Sequence, residues 1–347
     1  MRKIIIPLML LLLPLLGLTQ GNVSQLIKEG TELYDKGDYK GSIGKYDEAL
    51  KIQPENDDAL YEKSLSLIRL EQYDEAEVLL KKVLAISKND DIRLRAYANY
   101  GTALDLNGKS KESLKVYNDG LKEFPNDYMI HFNKGITQVQ LNDYDGATQS
   151  FQRSVSLNPQ HASSHNALGR MVLDKSRIKG VLAIFSFLLI EPEGGRAEDN
   201  VKLLNSLIMK GVSKKDDKNI TITMDMSDLD KKKKKDDDFS SAELMLSLMA
   251  ANTPDSLKDR SEAEKLHHQL SLLISLFDET DKKDKGFFKS FYVPFMVAMK
   301  EKDMLKTACY VALTSSGKED IYKWQNDNKS KVEDFLKWVD EYKWGKD

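Results

Sequence analysis

One stretch constrains this chain more than any other: Gly30 to Pro54, GTELYDKGDYKGSIGKYDEALKIQP. Gly30 is a small residue placed where two helices must approach closely. Leu26, Leu33 and Tyr34 precede the turn Lys36-Gly37-Asp38, in which Gly37 can take a positive φ and end the first helix. Tyr39 opens a second helix whose inner face carries Ile43, Tyr46, Ala49 and Leu50 at helical spacing. Pro54 closes the unit, because it cannot continue a helix. So short a pair cannot bury its apolar stripe alone and must be stacked on others like it.

The chain supplies the others. Leu60, Ser64, Leu67, Tyr73, Ala76, Leu80 and Val83 stand in the same order one period later. After three extra residues come Tyr97, Gly101, Leu104, Gly108, Ser113, Tyr117, Gly120 and Pro125, then His131, Gly135, Asn142, Tyr144, Ala147, Phe151, Ser154 and Pro159. A fifth copy, with Leu168, Gly169, Val172, Ile178, Val181 and Phe185, is degenerate, and Ser176 replaces its turn glycine. This pattern resembles the tetratricopeptide repeat, whose period is about 34 residues. The resemblance covers residues 23–193 and implies an all-α fold: a right-handed α-solenoid of helix-turn-helix repeats, here followed by a helical C-terminal domain.

Four stretches are expected along the 347 residues: a signal peptide at 1–19, the array with a capping helix at 23–212, a charged linker at 213–239, and a helical domain at 240–347. The first begins with Arg2 and Lys3, continues through the apolar run Ile4 to Leu16, and leaves through Gly17-Leu18-Thr19, a secretory pattern. It is short for a membrane span and contains Pro7 and Pro14, so membrane contact would come only through an uncleaved signal. Cleavage after Thr19 would leave 50 basic and 55 acidic residues, a net charge of −5. The single cysteine, Cys309, excludes an intrachain disulfide and sits in an apolar run that reads as core. Secretion without disulfides fits a bacterial periplasm or cell envelope. The full chain's net charge of −3 is not that of a general nucleic-acid binder.

Within the array, Gly180 to Ile190 (GVLAIFSFLLI) is apolar on all sides and needs a cover. Val201, Leu204 and Ile208 make the next helix one candidate cover. In the charged segment, Lys231 to Lys235 stand beside Asp228, Asp230 and Asp236 to Asp238, so the charges nearly cancel. Ile220, Ile222, Met224 and Met226 alternate at a strand period with no evident second strand. Beyond it, Ser240 with Glu243 reads as a capping box, Thr253-Pro254 as the opening of a longer helix, and Pro294 as a kink or break in Gly286 to Met299. Val332, Phe335, Val339 and Tyr342 share a face of the final helix, with Trp338 beside them.

No catalytic or metal constellation stands out, and no cofactor is expected. His161 and His165 are four apart, but His161 falls in a turn and His165 at a packing position. Glu264 with His267 or His268 lacks the second half of a zinc-hydrolase helix. The repeat resemblance instead implies a groove lined by the first helix of each repeat, taking a protein or peptide partner. Carried over by position, its lining is Ile27, Thr31 and Tyr34; Tyr61, Leu65 and Ile68; Ala98, Thr102 and Asp105; Phe132, Ile136 and Val139; and Asn166, Arg170 and Leu173. Some family members hold a peptide carboxylate with lysine and asparagine. Ile27 and Thr31 occupy those places here, which argues against carboxylate capture. Two apolar patches remain, Tyr61 with Leu65 and Ile68, and Phe132 with Ile136 and Val139, and such patches call for a partner or an internal cover. The chain is therefore expected to be a secreted, non-enzymatic scaffold. The competing readings are an enzyme or metal protein with its site in the C-terminal helices, and a purely structural link whose own 213–347 region fills the groove.

Overall fold

The computed structural model describes residues 13–209, 212–216, 219–222, 237–251, 254–279 and 286–345. The start of the expected leader, the lysine run at 231–235 and the strand-like Met224 and Met226 lie outside the described residues. The chain forms two compact units, Met1–Ala147 and Thr148–Asp347.

The first unit is built from helix pairs: α1 (Leu13–Asp35) with α2 (Tyr39–Ile52), α3 (Asp57–Arg69) with α4 (Tyr73–Ile86), and α5 (Asp90–Leu106) with α6 (Ser110–Glu123). α7 (Tyr128–Gln140) follows, and α8 (Tyr144–Leu157) begins in this unit. Each pair turns in the same way. The second residue after the first helix is left-handed in every case: Gly37 at φ 80°, Glu71 at 60°, Gly108 at 75° and Asn142 at 60°. The next N–H then reaches back to a carbonyl five residues earlier: Asp38 to Leu33, Gln72 to Leu67, Lys109 to Leu104 and Asp143 to Gln138, all at 2.8–2.9 Å. This is the helix-ending motif that consumes otherwise unpaired carbonyls. Glycine suits it, asparagine tolerates it, and glutamate at position 71 does so under strain.

Inside each pair a small residue admits a large one. A Cβ on Gly30 would overlap the edge of the Tyr46 ring, and a Cβ on Gly101 that of the Tyr117 ring. Both tyrosines are buried, and their hydroxyls meet Thr31 Oγ1 at 3.4 Å and Thr102 Oγ1 at 3.1 Å. Between successive pairs, buried hydroxyls are matched. Ser42 lies 2.8 Å from Ser66, and Ser113 lies 3.4 Å from Thr137, while the equivalent Ala76 and Ala103 are both fully buried alanines. A buried hydroxyl without a partner costs stability, so both sides of the contact are polar or both apolar.

The second unit contains the rest of α8, then α9 (Ala162–Met171), α10 (Arg177–Ile190) and α11 (Gly195–Met209). A hairpin of β1 (Val212–Asp216) and β2 (Asn219–Ile222) follows. Then come α12 (Ser240–Ala251), α13 (Glu262–Glu279), α14 (Phe287–Glu301), α15 (Leu305–Ala312), α16 (Glu319–Asp327) and α17 (Lys329–Glu341). The fold class is all-α apart from that hairpin, whose antiparallel register pairs Val212 with Ile222 and Lys214 with Ile220. The second strand that the alternation at 220–226 lacked is thus the charged Val212–Asp216, too polar to show a strand period.

α10 is the core of this unit. Every residue from Gly180 to Leu189 is buried, and α9, α11, α12, α14, α15 and α17 all pack against it. The expected cover is present, since Val201, Leu204 and Ile208 of α11 are buried. It is not sufficient alone, and the helices after Ser240 complete it. One tie is Glu243, whose carboxylate accepts from Ser176 Oγ at 2.8 Å, the Ile178 N–H at 2.8 Å and Arg177 Nε at 2.9 Å. Glu243 is therefore not half of a capping box: Asp238 Oδ1 takes the Ser240 N–H at 3.0 Å instead. Two further expectations are corrected. Pro254 precedes only the short turn Asp255–Leu257, and the long helix opens at Glu262 behind Ser261, whose Oγ accepts from the Glu264 N–H at 3.1 Å. Of the kink or break expected at Pro294, the break does not occur: α14 runs on through it, because burial of Phe291, Tyr292, Phe295 and Met296 outweighs the proline's cost of about 3 kcal/mol.

Replacing Glu71 by glycine should raise the unfolding free energy by about 1 kcal/mol, since it relieves a left-handed non-glycine residue in a turn that otherwise favours glycine. Urea denaturation of both chains at one pH measures this.

Candidate functional site

The first helices of the pairs in unit 1 touch one another, α1 with α3, α3 with α5 and α5 with α7, so they form one layer. The expected lining residues recur every third or fourth position along these helices and therefore share a stripe. The structure brings Ile27, Thr31, Tyr34, Tyr61, Leu65, Ile68, Ala98, Thr102, Asp105, Phe132, Ile136 and Val139 onto this layer. They are not equally available. Ile136 is 38% exposed, and Tyr34, Leu65, Ile68, Phe132 and Val139 are half-buried. Leu65 and Ile68 lean on the core formed by Leu60, Leu80 and Ala103, and Ile27 leans on Val23 and Ala59. Thr31 and Thr102 bond to the tyrosines of their own pairs. Asp105 Oδ2 accepts from Thr137 Oγ1 at 2.6 Å, while its buried Oδ1 has no partner among the described residues. Asn166 and Arg170 belong to the second unit, on α9, where Arg170 Nε donates to Asn166 Oδ1 at 3.0 Å. Leu173 lies just past that helix.

Tyr61 departs most from the open patch expected of it. It is only 4% exposed. The Arg95 guanidinium lies 5.0 Å from its ring centre, and Asn99 Nδ2 donates to its hydroxyl at 2.9 Å. Burial pushes the phenol up to about 12, so it stays protonated. Tyr61 is a wall of the site, closed by α5.

Beside that wall stand acidic groups that the positional carry-over passed over. Asp35 ends α1, and Asp58 and Glu62 lie one turn apart on α3. Their carboxylates have no ion-pair partner among the described residues. Burial raises the Glu62 carboxyl above its usual range; Arg95 opposes this, while Asp58 and Asp35 add to it. Burial likewise raises Asp58, with Asp57 adding and Arg95 opposing. Two partly buried carboxylates one turn apart would gain from a cation placed between them. The signal was in the sequence as Asp58, Glu62 and Arg95. Spacing alone did not show that Arg95 would be committed to the Tyr61 ring.

His165 behaves as a packing group. His165 is fully buried in unit 2, with Nε2 bonded to the Pro159 carbonyl at 2.8 Å and Nδ1 facing the Tyr292 hydroxyl at 2.8 Å. The carbonyl can only accept, so Nε2 carries the proton and Nδ1 accepts from Tyr292. Burial lowers its pKa to about 4. Cys309 is buried, and burial raises its thiol. No group of three or more metal-ligating side chains occurs among the described residues. No described helix is long and apolar enough to cross a membrane.

Residues 33–100 and 99–162 match two profiles, each described as a tetratricopeptide repeat. The small glutamine-rich tetratricopeptide repeat-containing protein 2 of Saccharomyces cerevisiae is 26% identical over 139 residues, covering 40% of this chain and 37% of that protein. The TPR repeat-containing protein PA4667 of Pseudomonas aeruginosa is 25% identical over 132 residues, covering 38% and 22%. The chain thus spans well under half the length of either relative. Among solved structures, the TPR protein TTC0263 of Thermus thermophilus is 19% identical with a TM-score of 0.43, covering 54% of this chain and 99% of that one. Pseudomonas aeruginosa pilF is 17% identical with a TM-score of 0.47, covering 55% and 91%. YrrB, described as a TPR protein with an unusual peptide-binding site, is 22% identical with a TM-score of 0.39, covering 51% and 90%.

His165 also sets a pH dependence. Its pKa is about 4 in the folded chain against 6.5 when exposed, so the unfolded chain takes up the proton first as pH falls. The resulting stability is complete above pH 6.5 and drains away toward pH 4, by about 3 kcal/mol. Denaturation at a series of pH values should show this loss in the native chain and a flatter profile in His165→Asn.

Proposed function

We propose that the chain, whose residues 33–162 are tetratricopeptide repeats, is a non-enzymatic scaffold. It seats an extended segment of a partner protein on the layer formed by α1, α3, α5 and α7. The observation that carries this reading is the juxtaposition on α3 of half-buried Leu65 and Ile68 with the unpaired Asp58 and Glu62, near Asp35. The partner segment this fits alternates aliphatic and cationic side chains. Its apolar groups would cover Leu65, Ile68 and Ile136, and its lysines or arginines would neutralise carboxylates already partly stripped of water. Neither Arg95 nor Arg69 closes an ion pair with these carboxylates among the described residues, and Arg95 offsets the effect of burial on them only in part. Arg95 is stacked on Tyr61, and Arg69 donates to the Tyr39 hydroxyl at 3.2 Å. A carboxylate-terminated partner fits poorly, since Ile27 and Thr31 stand where a basic and an amide side chain would be needed.

The basic, apolar and small-residue order of residues 1–19 supports export, with work in a bacterial periplasm or cell envelope. Fractionation and N-terminal sequencing of the chain from its host test this, with Gln20 as the expected first residue.

Partner chemistry is tested with extended peptides of alternating leucine and lysine, leucine and glutamate, or leucine and serine. The leucine–lysine peptide should bind at least about tenfold tighter than the leucine–glutamate peptide. Raising salt should narrow that difference, and the Asp58→Lys, Glu62→Lys double variant should reverse it. Equal binding of all three peptides would contradict the acidic, apolar site.

A further inference from the structure

The second unit holds a cavity of about 260 Å³ between α11, α12, the Asp255–Leu257 turn and α13. Its apolar wall includes Ile208, Met249, Leu257 and Leu266. Its polar side is formed mainly by α13, where Lys265, His268 and Gln269 fall at helical spacings of three and four and therefore share one face. Glu262 also borders the cavity, but its carboxylate is held by Lys318 Nζ at 2.5 Å. The side chains of Lys265, His268 and Gln269 make no hydrogen bond or ion pair among the described residues. With Glu262 neutralised, the uncompensated charge at this cavity is the Lys265 ammonium, beside an imidazole and an amide able to donate hydrogen bonds.

We propose that this cavity binds a small monoanionic amphiphile, a short-chain aliphatic carboxylate. The carboxylate would lie at Lys265 within reach of donation from His268 and Gln269, and the tail would lie among Met249, Leu257 and Leu266. An apolar wall with a few convergent polar groups is the general form of a small-molecule site, and unbranched methionine adapts to a flexible chain. The volume sets the size. It falls below the roughly 300 Å³ at which drug-sized sites begin, so a single short chain fits and the paired chains of a bilayer lipid do not. The polarity follows from the ion pairs: a cationic amphiphile would meet an unpaired ammonium, and a neutral one would gain no charge-assisted bond from it.

Isothermal titration calorimetry of the full chain with octanoate tests the assignment, with octylamine as the cationic control and phosphatidylglycerol vesicles as the lipid control. Octanoate should bind at one saturable site. Its affinity should fall about tenfold in Lys265→Gln, which removes a charge-assisted bond. Binding should be lost in Met249→Trp, which fills the cavity. Octylamine and vesicles should give no saturable signal. The assignment is overturned if the native chain does not bind octanoate, or if octylamine binds equally well. It is also overturned if vesicles saturate the chain in place of octanoate, or if either variant binds like the native chain. Binding of the leucine–lysine peptide is the separate readout for the repeat layer, and neither substitution should change it.

Discussion

In two pairs of the first unit, α1 with α2 and α5 with α6, the helices approach as closely as only a residue without a side chain permits. At Gly30 and Gly101 the tyrosine ring of the second helix occupies the space that a side chain on the first would take. The phenol then reaches a threonine on that same helix, so one contact sets both separation and rotation. Rotation matters for function, because it decides which stripe of the first helix faces away from its own partner. In the α3–α4 pair buried Ser64 and Leu80 stand at the corresponding positions, and the outward stripe carries Leu65, Ile68 and the unpaired Asp58 and Glu62, with Ile136 on α7. The surface available to another chain is thus a consequence of how each pair closes.

Pairing between neighbours follows from a second constraint, the cost of a buried hydroxyl. Ser42 with Ser66 and Ser113 with Thr137 sit where Ala76 and Ala103 sit in the intervening pair. Matching both sides of each contact favours the native order of stacking, since a serine set against an alanine would lose its partner. In the second unit, buried satisfaction takes another form. α10 presents no polar face, so it must be wrapped, and the chain after Ser240 does the wrapping. Arg177, Ser176 and the Ile178 N–H converge on Glu243, which fixes α12 against the start of α10.

The repeats were legible because their determinants are local: a small residue, a turn, and apolar positions at helical spacing, written several times. Even the turn at Glu71, with no glycine, forms as its neighbours do. What was not legible is set by tertiary contact. Glu243 has the sequence position of a capping residue but is drawn to Arg177, and Pro294 sits in a helix that aromatic burial keeps whole. The strand before Asn219 was hidden by its lysines. At the candidate site, the stripe positions followed from periodicity. The closing of Tyr61 by Arg95 and Asn99 depends on side-chain direction across two helices, which spacing does not convey.

The most direct measurement is photo-crosslinking in the native host, with a photoreactive residue placed singly at Leu65, at Ile136 or at Val78. Val78 is 65% exposed on α4, a second helix, and so tests the opposite layer of the pairs. Adducts with one partner protein from positions 65 and 136, and none from 78, are the predicted result. Adducts from position 78 alone, or from all three alike, would contradict a partner seated on the first helices.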